Sequence, residues 1–201
     1  MDVDYVVWDF DGVLNANIVD GRFIWADNFE RDIGQSLESF TRAIFNAEFD
    51  RILRGEKDLL AHVSAWLTAV ACARSPESIL RYWFESDSHV DLELLAVMER
   101  VAAAGGKNII ATNNELRRAS YIEKEMGFGS RVERIFASGR MRCLKPEAKF
   151  FREVTRERVS PGRVILIDDN HQNLRAARDL GWHTHHFAGD YDRLKARLGL
   201  V

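Results

Sequence analysis

The chain has 201 residues, 46% hydrophobic and 29% charged, enough for one substantial core with a small additional domain and against a disordered chain. Its 28 basic and 31 acidic side chains give a formal charge of -3, which argues against nucleic acid or an anionic membrane surface and leaves small ligands as the expected partners. Two cysteines, Cys72 and Cys143, are too few for a disulfide framework or a zinc cluster and fit a reducing cytosol.

The first ten residues, "MDVDYVVWDF", carry acids where a secretory signal would be basic, and no apolar run reaches the ~20 residues of a membrane span. A cytoplasmic protein is expected. Within that opening, "YVVW" at 5–8 reads as a parallel strand buried on both faces. From Asn17 to Ser88 the pattern is helical without a convincing strand. Phe29, Ile33, Leu37, Phe40 and Ile44 recur at helical intervals, as do Leu59, Val63, Trp66 and Val70, and Ser75 precedes Pro76 as an N-cap. The aromatic residues Phe23, Trp25, Phe29, Phe40, Phe45 and Phe49 read mostly as core, with Asn17, Arg22 and Trp25 as candidate substrate contacts.

Beyond this segment strands and helices alternate. "DLELLAVMERVAAAGG" ends on a glycine pair, "NIIAT" at 108–112 is a strand, and "ELRRASYIEKEMG" is a helix stopped at Gly127. A weaker strand, "RIFAS", precedes "KPEAKFFREVTRER", with Pro146 near a first helical position. "VILI" at 164–167 leads into a helix capped by Asn170 and stopped at Gly181, and "THHFA" is a further weak strand. The order implies a doubly wound, mostly parallel Rossmann-like α/β sheet over 1–16 and 89–201, with 17–88 as a small helical cap able to serve as a lid.

Ligands of such sheets bind beyond the carboxyl ends of the strands. There the sequence sets Asp9 and Asp11, then Thr112 and Asn113, then Asp168 and Asp169, with Lys145 opening an intervening helix. Grouped carboxylates beside a lysine suit a hard divalent cation such as Mg2+, which joins one or two carboxylates to waters and a phosphate. A phosphate fits Thr112 and the following helix start, with Lys145 neutralising its charge. One aspartate is then spare as a nucleophile, Asp9, with Asp11 handling protons. Asn113 serves equally as a phosphate contact or a helix cap. His183 and His185 share a strand face but lack acidic or cysteine partners at ligand spacing, His171 reads as an exposed first-turn residue, and Cys143 as a loop thiol.

"DFDGVL", "ATNN", "KPEAKFF" and "LIDDNHQNLRAARDLGW" together resemble, in family order, the haloacid dehalogenase-like (HAD) hydrolase superfamily. The resemblance covers nearly the whole chain, and 17–88 resembles the helical cap that follows the first strand in many members. It implies a Mg2+-dependent phosphatase in which Asp9 is the nucleophile and Asp11 the general acid/base, with Thr112 and Lys145 holding phosphate. It further implies a metal held by the Asp9 carboxylate, the Asp11 main-chain carbonyl and chiefly Asp169, with Asp168 acting through water. The expected substrate is a small phosphomonoester such as a sugar phosphate. The alternatives are a phosphomutase, a metal-free 2-haloacid dehalogenase, against which Asp11 and the acidic pair argue, and a phospho-acceptor module, against which the motif order argues.

Overall fold

The computed structural model describes residues 3–156 and 160–200. Strand β1 (Tyr5–Trp8) leads through the loop 9–17 into a small hairpin, β2 (Ile18–Val19) and β3 (Arg22–Phe23). The hairpin corrects the expectation of a segment without strands; at two residues per strand it leaves no periodicity to read. Five helices follow: α1 (Phe29–Ile33), α2 (Leu37–Ile44), α3 (Phe49–Leu53), α4 (Leu59–Ala69) and α5 (Pro76–Ser86). The long apolar period of this region is broken between α1 and α2 because Gly34 sits in the left-handed region, φ 77°, and Ser36 then caps α2 by accepting from Ser39 N–H. Ser75 caps α5 with Pro76 at its start, as its sequence predicts.

The rest alternates: α6 (Leu92–Ala103), β4 (Lys107–Thr112), α7 (Leu116–Lys124), β5 (Arg134–Ala137), α8 (Ser138–Met141), α9 (Ala148–Thr155), β6 (Val164–Asp168), α10 (His171–Asp179), β7 (His183–His186) and α11 (Tyr191–Arg197). Strands β5, β4, β1, β6 and β7 lie in that order in one parallel sheet, an α/β architecture with β1 at its centre. Pro146 is not inside α9: it follows Lys145 through a cis peptide, and the helix starts at Ala148. The tail of "KPEAKFFREVTRER" at 157–158 lies outside the described residues.

Period two divides the strands between the sheet's faces. Val6, Trp8, Ile110, Ile165 and Ile167 pack with Leu94, Val97 and Val101 of α6 and Ile122 of α7, while Val7, Ile109, Ala111, Val164 and Leu166 pack with Phe150 and Phe151 of α9 and Leu174 of α10. Cys143 belongs to the second layer, and both thiols are free. The helical segment has a third apolar cluster of its own. Phe40 is its hub, 4.8 Å from Phe29 and 4.9 Å from Trp66 between ring centres. No described helix is long and apolar enough to cross a membrane.

A seam joins the helical segment to the sheet's helices. Ser138 donates to Leu53 O at 2.8 Å, Arg54 pairs with Glu147, and Arg117 grips Asp58 through two 2.8 Å bonds. Backbones touch at the seam, since a Cβ at Gly55 would lie 2.4 Å from Gly139 O.

Candidate active site

At the end of β1 the side chains alternate, so Phe10 turns into the core against Phe128, with 5.2 Å between ring centres, and Asp9 and Asp11 face the sheet's edge. The Lys145 ammonium lies 2.8 Å from both Asp9 Oδ1 and Asp168 Oδ2. Burial, then repulsion from Asp168, pushes the Asp9 carboxyl well above the usual range, against the pull of Lys145. Burial alone would depress the ammonium, but Asp9 and Asp168 outweigh it and hold it above its ordinary value. Phe10 N–H also donates to Asp9 Oδ1 at 2.7 Å.

Asn113 neither caps a helix nor leaves its amide free. It receives Lys145 N–H on Oδ1 at 2.8 Å and donates to Lys145 O at 2.9 Å, fixing the lysine's main chain. The cap of α7 is Glu115, whose carboxylate accepts from the N–H groups of Arg117 and Arg118. Asp168 is saturated, since besides Lys145 it accepts from Asn170 N–H and from Asn173. Asp169 is half-buried, raised by burial and by Asp168. Its approach to the first loop depends on Gly12, φ 78°, where a Cβ would come within 2.6 Å of Asp169 Oδ2. Oxygens of Asp9, Asp168 and Asp169 lie within 4.8 Å of one another, a group that could hold a metal ion.

Asp11 stands in a cage of amides. Its Oδ1 accepts from Asn15 at 3.1 Å and Asn17 at 2.9 Å, and its Oδ2 from Asn114 at 2.8 Å, which also donates to the Thr112 hydroxyl at 2.7 Å. Asn17 extends the network by donating to Asp87 Oδ1 at 2.9 Å, and Asp87 pairs with the buried Arg118 at 3.0 Å. Burial and the Asp11 charge raise the Asp87 carboxyl to about 7, opposed by Arg118. Asn15, Asn114, Asp87 and Arg118 go unmarked in the sequence, because polar residues at loop and helix ends carry no periodic signal.

The remaining candidates separate from this site. His171 is exposed on the first turn of α10 and stacks on His186 at 4.0 Å, and His185 pairs with Asp190 at 3.3 Å. Burial pushes the Cys143 thiol up, as for an inert core cysteine.

A chamber of about 220 Å3 opens beside Asp11 between the sheet's edge and the helical segment, lined by Asn113, Asn114 and Arg118 from the former and by Trp25, Phe45, Trp83 and Asp87 from the latter. A wider cavity of about 760 Å3 lies by edge strand β5, lined by Arg134, Arg140 and Glu153, and holds none of the strand-end groups. Of the strand-end groups, Asp11 and Asn113 face the smaller space.

A model of the haloacid dehalogenase-like hydrolases matches residues 3–181. The chain belongs to that family. This HAD-like hydrolase resembles in fold a HAD family enzyme of Bacteroides thetaiotaomicron, with a TM-score of 0.79 and 20% identity over 96% of this chain and 98% of that one. Another structure of that enzyme, at TM-score 0.77 and 20% identity over the same shares, is a complex with magnesium and inorganic phosphate. L-2-haloacid dehalogenase from Xanthobacter autotrophicus is similar at TM-score 0.65 and 17% identity, over 97% of this chain and 81% of that one.

Proposed function

We propose that the protein is a Mg2+-dependent phosphatase that hydrolyses a small phosphomonoester through an aspartyl-phosphate on Asp9. The observation that carries this reading is the group of Asp9, Asp168 and Asp169 oxygens within 4.8 Å, beside a lysine already spent on two of them. Carboxylates so crowded call for another cation, and an all-oxygen donor set suits Mg2+. The cradle that Gly12 leaves open beside Asp169 supports the same fit. Asp9, Asp169 and the Asp11 carbonyl would hold the ion, and the saturated Asp168 would act through water. The magnesium and phosphate complex of the Bacteroides enzyme adds weight. When bound, Mg2+ supplies charge neutralisation on the phosphoryl oxygens.

Asp9, oriented by Phe10 N–H and Lys145, attacks phosphorus as the ester P–O bond breaks, and Asp11 gives its proton to the leaving oxygen. Water then attacks the phosphorus, Asp11 takes a proton from it, and the acyl-phosphate bond breaks to free Asp9 and inorganic phosphate. Thr112 and Lys145 hold the phosphoryl group, and Asn113 acts on it through the lysine it fixes. Residues 1–16 and 89–201 serve as the catalytic core and 17–88 as the cap, which excludes water and bulky phosphoproteins. The free thiols support a cytosolic setting.

Phosphate release from a panel of phosphomonoesters, with Mg2+ and after exhaustive chelation, tests the reading. Sustained turnover that needs Mg2+ is expected. Halide release from 2-haloacids without metal, arrest at one phosphate per chain, or an isomerised ester would each replace it with one of the alternatives.

A further inference from the structure

We infer that the leaving group taken by this site carries a flat apolar ring, rather than being a polyhydroxylated sugar. The inference rests on the phosphatase reading and concerns what lies on the far side of the ester oxygen. The chamber beside Asp11 is walled by six aromatic side chains, Phe23, Trp25, Phe45, Phe49, Trp83 and Phe84. Several already meet at the spacings that rings prefer: Trp25 and Trp83 lie 5.2 Å apart, Phe45 and Trp83 5.5 Å, and Phe45 and Phe49 4.7 Å.

The opposite wall is polar, and most of its side chains are engaged with one another. Arg118 donates to Phe84 O at 2.9 Å and to Asp87, Glu115 caps α7, Asn113 holds Lys145, and Asn114 is divided between Asp11 and Thr112. Among the described residues no buried side-chain polar atom lacks a partner. A sugar in this space would bring hydroxyl groups to a wall of rings and to polar groups that are largely engaged with one another. A ring asks for no hydrogen bond.

Exposure supplies a second, independent observation. Phe23 is 44% exposed and Phe45 39%, both lining the chamber, and an apolar occupant would cover what the fold leaves bare. Size points the same way. At about 220 Å3 the chamber falls below the roughly 300 Å3 at which pockets for drug-sized ligands begin, so about one or two rings fill it. Phe23, Trp25 and Phe45 also line a wider outer cavity of about 750 Å3, along which a longer group continues on apolar surface.

The test compares substrates of matched ester chemistry on the Mg2+-loaded enzyme: 2-phenylethyl phosphate against glucose 6-phosphate, both primary alkyl esters, with acetyl phosphate as a probe too small to reach the rings. We expect kcat/KM for the phenylethyl ester to exceed that for the sugar ester roughly 100-fold. Phe23→Ala and Phe45→Ala, at half-exposed positions where the core is not emptied, should lower the ratio of phenylethyl to acetyl phosphate about tenfold, and Phe45→Leu should recover part of it. Equal or better use of the sugar ester, or an unchanged ratio in both alanine variants, would overturn the inference while acetyl phosphate hydrolysis leaves the phosphatase reading standing. Failure to release phosphate from any of the three would overturn that reading, and this inference with it.

Discussion

The two walls of the chamber are built on opposite principles. At the sheet's edge polar groups hold one another, Lys145 between Asp9 and Asp168 and Asn114 between Asp11 and Thr112, whereas the helical segment faces the chamber mainly with rings. The first wall is costly to fold, since burial holds the Asp9 and Asp169 carboxyls above their ordinary range. The second rests on an apolar cluster of its own around Phe40. Chemistry demands the strained wall; recognition needs only the compliant one.

Substitutions should break the comparison unequally. Asp9→Asn is expected to cost the most, roughly 10^4-fold or more in turnover with the fold intact, measured as steady-state phosphate release and as loss of labelled phosphate trapped on the chain. Asp11→Asn should cost ~10^2- to 10^4-fold, as for a general acid/base, with the amide cage preserved by the similar shape. Unchanged turnover in either variant removes that residue from its role.

On the stability side, Arg118→Met should cost about 3–5 kcal/mol in urea unfolding, because it strands Asp87 among Asn17 and Asp11. Adding Asp87→Asn should return most of it. Asp169→Asn should then raise the Mg2+ needed for half-maximal activity by about 10- to 100-fold.

The smallest effect concerns pH. Asp87 is raised from its unfolded value to about 7, so the protonated form is favoured in the folded state, and stability present at low pH is lost as pH rises toward 7. Asp9, Glu115 and Asp169 shift in the same direction. Exposed acids such as Asp4 and Asp32 shift downward and complete their titration in more acidic solution. Burial holds His185 below its ordinary value, which opposes this trend over the same interval. In chelator, Asp87 alone should therefore make unfolding free energy about 2 kcal/mol higher at pH 5 than at pH 8, read as the difference between the wild-type and Asp87→Asn profiles, and coincident profiles would contradict the assignment.

The sheet was legible because strands buried on both faces read as apolar runs, and β1, β4 and β6 each end in the residues the site uses. What escaped is long-range. Asn114 meets Asp11 across 103 positions and Asn17 meets Asp87 across 70, so no local spacing announces either bond. Asn113 is ambiguous for the same reason, its true partner being the main chain of Lys145, 32 residues on. The break at Gly34 and the hairpin at 18–23 show where helical periodicity runs on past the geometry that interrupts it.

The glycine seam sets the mechanical scale of the chamber. Ordinary contact begins near 3.4 Å, and a methyl group at Gly55 would stand 2.4 Å from Gly139 O, so it must prise the two backbones about 1 Å apart. Leu53 and Glu115, flanking that contact, both line the chamber. The pair therefore acts as a shim of zero thickness: the depth of the ligand space is gauged by bare main chain, and a single carbon atom inserted there would alter its bore.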